Sequence, residues 1–426
     1  MADVIVLGAG IAGISATYHL HGLADVVCYE SQGHVGGLVA NFTIDGFRFD
    51  NAIHLSFTSI DYVKNLFSKV PHYKHAPEAY CSENGKWLRH PVQNNLYPLS
   101  TEEKINLIAS FYNAPKDFAD NYHSWLISQY GREIAERYHL KYTTKYWGLD
   151  ASSLSLSWIG NRLRKADISE ILKGAFEART DNHYYADEMR YPVQGGYFSF
   201  VKPMLEKCRI DVNKRAVKID PLSKRVSFSD GTYAEYEKLI STLPLPEIVK
   251  ILENVPSEVE EAADSLLYTR VDLVSVGFSK IIENRYLWFY IYDSCMAARA
   301  YSPSLKSPAS APPGCSSLQF EIYSLSTQPK HSKQSMIESV RSYLIKNNFC
   351  KADDILFMNH KCLEYGNVVY DHGMEKRRNL VLSYLASLGI LTAGRFGEWS
   401  YLWSDQSLMS GKSAADRIVK IHDGKR

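Results

Sequence analysis

A chain of 426 residues exceeds what one simple hydrophobic core organises, so two or three structural domains are expected. Its make-up, 45% hydrophobic and 22% charged, is that of an ordinary globular protein, and a net charge of +1 gives no electrostatic case for binding nucleic acid or an anionic membrane. The seven cysteines are scattered, odd in number and without a C-x-x-C, which fits free thiols in a reducing cytoplasm better than a disulfide framework or a zinc site.

The first segment, "MADVIVLGAG", starts a hydrophobic strand within four residues, with no basic stretch or cleavable apolar run before it, so no signal peptide is expected. No run of about 18 apolar residues occurs, so no membrane-spanning helix is expected. "DVIVLGAGIAGISATYHL" reads as buried strand, glycine turn and helix. Gly8, Gly10 and Gly13 form G-x-G-x-x-G in that context. The first permits the tight turn, the second lets backbone approach a pyrophosphate, and the third allows helix to pack on strand. A second strand, "DVVCYE", ends at Glu30, whose carboxylate is placed to accept bonds from an adenosine ribose.

The continuation favours FAD over NAD. "SQGHVGGLVANF" brings a second glycine pair, Gly36-Gly37, followed by Leu38, where a plain NAD domain needs none. "FRFDNAIHLSF" then sets His54 after an extended strand. This arrangement resembles the FAD-dependent oxidoreductases of the amine oxidase and glutathione reductase type. His72 and His75 could share one helical face, but no Cys or carboxylate stands at ligand spacing, so no metal site is expected.

Downstream, "YCSENGKWLRHPVQNN" begins as a hairpin turning at Asn84-Gly85 and ends in a polar cluster. Helical periodicity runs from Thr101 to about Ala178. Gly195-Gly196 turns into a helix, "AVKIDPLSKRVSFSDGTYAEYEKLISTLP" is a meander, and four further strands build a second, antiparallel sheet. The Pro/Ser-rich segment 302–314 is expected to be a surface loop, and "GILTAGRFGEW" a final strand returning to the cofactor. The fold class is therefore α/β: a Rossmann-type FAD-binding domain (1–75, 190–250 and 385–426), an inserted helical domain (96–185) and an antiparallel-sheet substrate domain (76–95 and 255–384).

The segment "GRFGEWSYLWSDQ" joins small, cationic and aromatic groups in a way a surface tail does not need. Together with "HPVQNN", "LSWIGNRL", "CMAARA" and "NAIHLSF", it makes most of the chain resemble the UDP-galactopyranose mutases. The resemblance implies FAD contacts from Gly8, Gly10, Gly13, Glu30, Gly37, Leu38, Val217, Gly394, Arg395, Asp405 and Gln406. It implies that Gln93, Asn94 and Trp158 meet the sugar nucleotide, that His54 sits beside the flavin, and that Arg162, Arg299 and Tyr401 hold the diphosphate, with Tyr365 or Tyr370 as a second tyrosine. Two arginines and tyrosine hydroxyls are suitable donors for two phosphate charges. Where the family has a glycine pair before its histidine, this chain has Ala52-Ile53.

The implied reaction is a pyranose–furanose interconversion of a UDP-galactose-like sugar through a reduced-flavin N5–sugar adduct, without net redox, for polysaccharide or glycoconjugate synthesis. It needs an external reductant and a nucleotide-diphosphate sugar, in the cytoplasm, with a homo-oligomer possible. The alternatives are an FAD-dependent amine oxidase or protoporphyrinogen oxidase type of oxidoreductase, and a non-catalytic FAD-binding protein.

Overall fold

The computed structural model describes residues 2–115, 119–160, 163, 167–180, 186–283 and 286–423, the last three as backbone alone. β1 (Ala2–Leu7) has Val4, Ile5 and Val6 fully buried, the signature of a parallel strand covered on both faces. Each such aliphatic side chain contributes roughly 1.5–3 kcal/mol by leaving water. β1 runs directly into helix α1 (Ile11–Leu20), and β2 (Val26–Tyr29) returns parallel to β1. A hairpin of β3 (Asn41–Ile44) and β4 (Phe47–Asp50) follows, then β5 (His72–His75) and the hairpin of β6 (Ala79–Glu83) and β7 (Lys86–Arg89).

His72 and His75 therefore lie on a strand, not on a helix. β5 pairs antiparallel with β8 (Met189–Pro192), and residues three apart on a strand point to opposite faces. His75 Nε2 donates instead to the Lys306 carbonyl at 2.9 Å, and His72 Nδ1 donates to the Val70 carbonyl at 2.7 Å.

The chain next lays down β9 (Ile210–Asp211), β10 (Ala216–Asp220), β11 (Arg225–Phe228) and β12 (Tyr233–Ser241). β10, β11 and the start of β12 are the expected meander. The rest of β12 pairs parallel with β1, so one strand serves both the hairpin and the central sheet. The second sheet has the order β17-β13-β16-β15-β14-β6-β7, from β13 (Tyr268–Phe278), β14 (Trp288–Ile291), β15 (Arg299–Tyr301), β16 (Ser316–Leu325) and β17 (Ile355–Val368). It is antiparallel except where β14 runs parallel to β6. β18 (Ile390–Thr392) rejoins the first sheet beside β12, and the helix Ser404–Asp423 packs across α1.

Helices Thr101–Tyr112, Tyr122–Tyr130, Lys141–Trp147 and Ile168–Phe176 form the inserted helical layer. Ser100 and Glu103 start the first of them as a reciprocal cap. Arg137 binds both Glu83 and Glu103 at 2.8 Å, which fastens this layer to the β6–β7 hairpin.

The Pro/Ser-rich segment is not a surface loop. Ser302 caps a short helix, Pro303–Lys306, and Lys306 is fully buried against fully buried Asp50 at 2.6 Å. The rings of Tyr191 and Tyr301 lie 4.3 Å from the ammonium. Composition pointed to solvent because the ion pair that permits burial joins positions 256 residues apart.

Candidate functional site

Between the carboxyl ends of the first sheet and the edge strand β17 lies a long groove. Its floor is the β1–α1 turn. Gly8 has φ +94°, open to glycine and strained for other residues, and a Cβ on Gly13 would sit 1.8 Å from the Gly8 carbonyl oxygen. Gly10 is the N-cap of α1, and a Cβ there would meet nothing within 4 Å, so the helix N-terminus opens onto the groove. The second glycine pair closes over the first: Gly36 N donates to the Ala9 carbonyl at 2.8 Å, and Gly37, at φ +54°, packs against the Gly10 Cα. Glu30 ends β2 as expected, its Oε2 accepting from Ala9 N and its Oε1 from Gln32 N, both at 2.8 Å. Oε1 also accepts from the Ser31 hydroxyl at 3.2 Å, so Oε2 is the oxygen that keeps a lone pair for a ribose hydroxyl. Exposed amides, a helix N-terminus, close-packed glycines and a terminal carboxylate fit a dinucleotide.

A second cavity continues from the groove, and the two share Leu38, Asn51, His54, Arg395 and Ser404. Its far wall carries Arg299 on β15. The Arg299 guanidinium binds the fully buried Glu321 through Nε and the Tyr323 hydroxyl through Nη2 at 3.0 Å. The Tyr323 hydroxyl in turn donates to Glu321 at 2.6 Å. Although burial opposes its charge, the carboxylate of Glu321 and the surrounding phenols hold the Arg299 pKa well above the ordinary value. Glu321 has a third bond, from Ile53 N at 2.6 Å, so one carboxylate fixes Arg299, Tyr323 and the backbone beside His54.

Tyr401 and Tyr146 meet at 2.7 Å, hydroxyl to hydroxyl. Asn367, 3% exposed, lines the same cavity. Its Oδ1 accepts from Tyr146 and from Arg395 Nη1, each at 3.3 Å, which fixes the amide orientation and leaves Nδ2 buried without a protein partner. Arg395 is stapled in place by the Leu402 carbonyl at 2.8 Å and the Gly366 carbonyl at 3.2 Å. His54 is pushed down to about 4 by burial, and Nδ1 donates to the Ala52 carbonyl at 3.2 Å, so a neutral ring offers Nε2 as acceptor. Ala52 itself has φ +70°, in the left-handed region that favours glycine.

The structure gathers many of the residues read from sequence. Gly8, Gly10, Glu30, Gly37, Leu38, Gly394 and Arg395 line the groove, and His54, Arg299, Tyr401 and Asp405 line the second cavity. Gly13 lies beneath the turn as a packing residue. Others are placed elsewhere. Val217 is 44% exposed on β10 and lines neither hollow, because the meander turns that face to solvent. Gln406 spends its side chain capping the last helix, with Oε1 accepting from Trp403 N at 2.9 Å. Gln93 and Asn94 are buried and line neither hollow, and Asn94 donates to Glu170 at 2.7 Å. Trp158 packs edge-on to Tyr401, its ring 6.3 Å away, so it supports the cavity wall from outside. Arg162 lies outside the described residues.

Of the two candidate second tyrosines, Tyr365 donates to Glu247 at 2.8 Å, and Tyr370 accepts from Tyr401 N at 2.9 Å. Neither hydroxyl reaches the cavity, where Asn367 stands instead. Sequence reading missed Glu321, Tyr146, Tyr323 and Asn367. The one available signal was the alternation of polar and apolar residues in "SSLQFEIYSL", which put Gln319, Glu321 and Tyr323 on one face of β16.

Among the described residues, no helix is long and apolar enough to cross a membrane, and no group of three or more His, Cys, Asp or Glu is arranged to hold a metal. A family profile described as an NAD(P)-binding Rossmann-like domain matches residues 6–70. Among solved structures, the chain is similar to a reduced UDP-galactopyranose mutase, with a TM-score of 0.92 and 23% identity over 99% of this chain and 96% of that one. It is also similar to a candidate protoporphyrinogen oxidase from Exiguobacterium sp. 255-15, with a TM-score of 0.74 and 15% identity over 98% of each chain. An engineered putrescine oxidase follows, with a TM-score of 0.66 and 14% identity over 98% of this chain and 99% of that one. The fold is thus the one the sequence resemblance implied, a Rossmann-like domain joined to a second sheet and a helical layer.

Proposed function

We propose that the chain binds FAD in the glycine-lined groove and a nucleotide-diphosphate sugar in the adjoining cavity, and that it interconverts the pyranose and furanose forms of that sugar, UDP-galactose or a close relative. The carrying observation is a partly exposed arginine, Arg299, anchored on the fully buried Glu321 and facing a cavity that opens directly into the glycine-lined groove. An oxidase of amines or porphyrinogens requires no fixed cation there, whereas a departing diphosphate does.

When bound and reduced, the flavin supplies the nucleophile for the anomeric carbon. The chain's own groups do the rest. Arg299 receives the diphosphate, held in aim by Glu321. Asn367 Nδ2 adds a donor that no protein group claims. With the Tyr146 hydroxyl donated to Asn367, the Tyr401 hydroxyl donates to Tyr146, which fixes both phenols at the cavity wall. His54, neutral at physiological pH, presents Nε2 beside the groove. Arg162 completes the phosphate clamp in this reading. An external reductant keeps the flavin active, and the product furanose serves polysaccharide or glycoconjugate assembly.

The test is incubation of dithionite-reduced protein, under anaerobic conditions, with UDP- and dTDP-hexopyranoses. An isomer of unchanged mass, formed only with reduced flavin and lost in Arg299→Ala, is expected. Oxygen consumption with amines and no isomer from any sugar would overturn the reading.

A further inference from the structure

The groove's outer wall is the edge strand β17, and Lys361 is the only lysine among the described residues lining either hollow. Its ammonium is half-buried and donates to Asn51 Oδ1 at 2.8 Å. Asn51 Nδ2 donates to the Gly37 carbonyl at 3.0 Å, and Gly37 packs on Gly10 at the N-terminus of α1. Lys361 is therefore one side chain removed from the turn that faces a pyrophosphate. Among the described residues, no carboxylate lies within ion-pairing distance of it. Glu364, three positions on, pairs with Lys330 at 3.1 Å. Burial pushes the Lys361 pKa down with nothing nearby to raise it again. Arg395, the other permanent cation on this groove, already has its guanidinium bonded to backbone carbonyls. A half-buried ammonium held by the Asn51 carbonyl and the face of Phe42, with no counter-ion, beside the N-terminus of α1 is a site for a bound anion.

We infer that Lys361 anchors the pyrophosphate of the dinucleotide, as a cation delivered by the second sheet to a cradle built by the first. This rests on the FAD reading above and adds to the glycine fingerprint a contact from a separate layer. Anchoring across the groove ties cofactor retention to the position of β17.

The experiment compares binding of FAD and of riboflavin, which lacks the pyrophosphate, to flavin-depleted protein by flavin fluorescence. Lys361→Met is expected to weaken FAD about tenfold or more and leave riboflavin unchanged, while Lys361→Arg stays within about threefold of wild type. The dependence of FAD affinity on salt is expected to flatten in Lys361→Met. Equal FAD affinity in Lys361→Met and wild type overturns the inference, as does an equal loss for FAD and riboflavin. Failure of the wild type to bind FAD at all would instead overturn the FAD reading itself.

Discussion

The two hollows are built by opposite means. The dinucleotide groove is made largely of backbone: three glycines within six positions, a helix N-terminus, and a second glycine pair bonded back to the first. The second cavity is made largely of side chains, from the stretch 51–58, Tyr146, β15, β16, β17 and the Gly394–Asp405 segment, and its polar members hold one another. Backbone sites depend on what is missing from a residue, so one added atom fills them. Side-chain sites depend on what each residue holds, so they fail by losing a partner.

The largest effect should therefore come from adding bulk to the groove. Gly13→Val places carbon where the Gly8 carbonyl already lies, and α1 cannot pack against β1. Loss of flavin retention and of most soluble protein is expected, read by absorbance of the purified fraction. In the cavity the matching lesion is Glu321→Ala, which strands the Arg299 charge. Removing one member of a buried ion pair costs about 3–5 kcal/mol. Both the melting temperature and UDP affinity should fall, whereas uridine affinity should hardly change in the folded fraction. If UDP binds Glu321→Ala as tightly as wild type, the cavity does not work by interlocked side chains.

Asn367→Asp keeps the shape and exchanges the free donor for a charge. A hydrogen bond to a charged group is worth about 1.5–3 kcal/mol, so UDP affinity should fall roughly 10- to 100-fold by calorimetry, with little change in stability. Acid sharpens the contrast further. His54 and His90 are pushed down to about 4 and His139 to about 3 by burial. A histidine whose folded pKa lies below its unfolded value of about 6.5 stabilises the fold fully above that pH and loses the contribution as pH falls toward 4. Shifts of this size correspond to roughly 3–5 kcal/mol each, largest for His139, so melting temperature should drop steeply between pH 6.5 and 4, and less in His139→Gln. The smallest effect belongs to Val217→Ser, on a solvent-facing strand: stability within about 0.5 kcal/mol and unchanged FAD affinity.

This contrast also explains what could be read in advance. Gly8, Gly10, Gly13 and Glu30 sit in one contiguous stretch whose spacing carries the physics, so the groove was legible, as were both sheets and the helical layer. Arg299 and Tyr401 were found only because longer segments resembled a family. Glu321 was invisible because its three partners, Arg299, Tyr323 and Ile53, span 270 positions of chain between them. Asn367 was hidden for another reason. Two tyrosines flank it in sequence, and only the course of β17 past Val368 shows that both hydroxyls turn away. Lys306 misled because serine and proline surround it, and only Asp50 reveals why it is buried.

That lysine has a practical use. Amine-reactive reagents modify side chains that solvent can reach, and Lys306 sits sealed between two phenol rings with its carboxylate partner. Its labelling by mass spectrometry can occur only when the 302–314 segment lifts from the body of the protein. Lys306 is thus a built-in clock for local opening beneath the His54 loop, and filling the adjacent hollows should slow it.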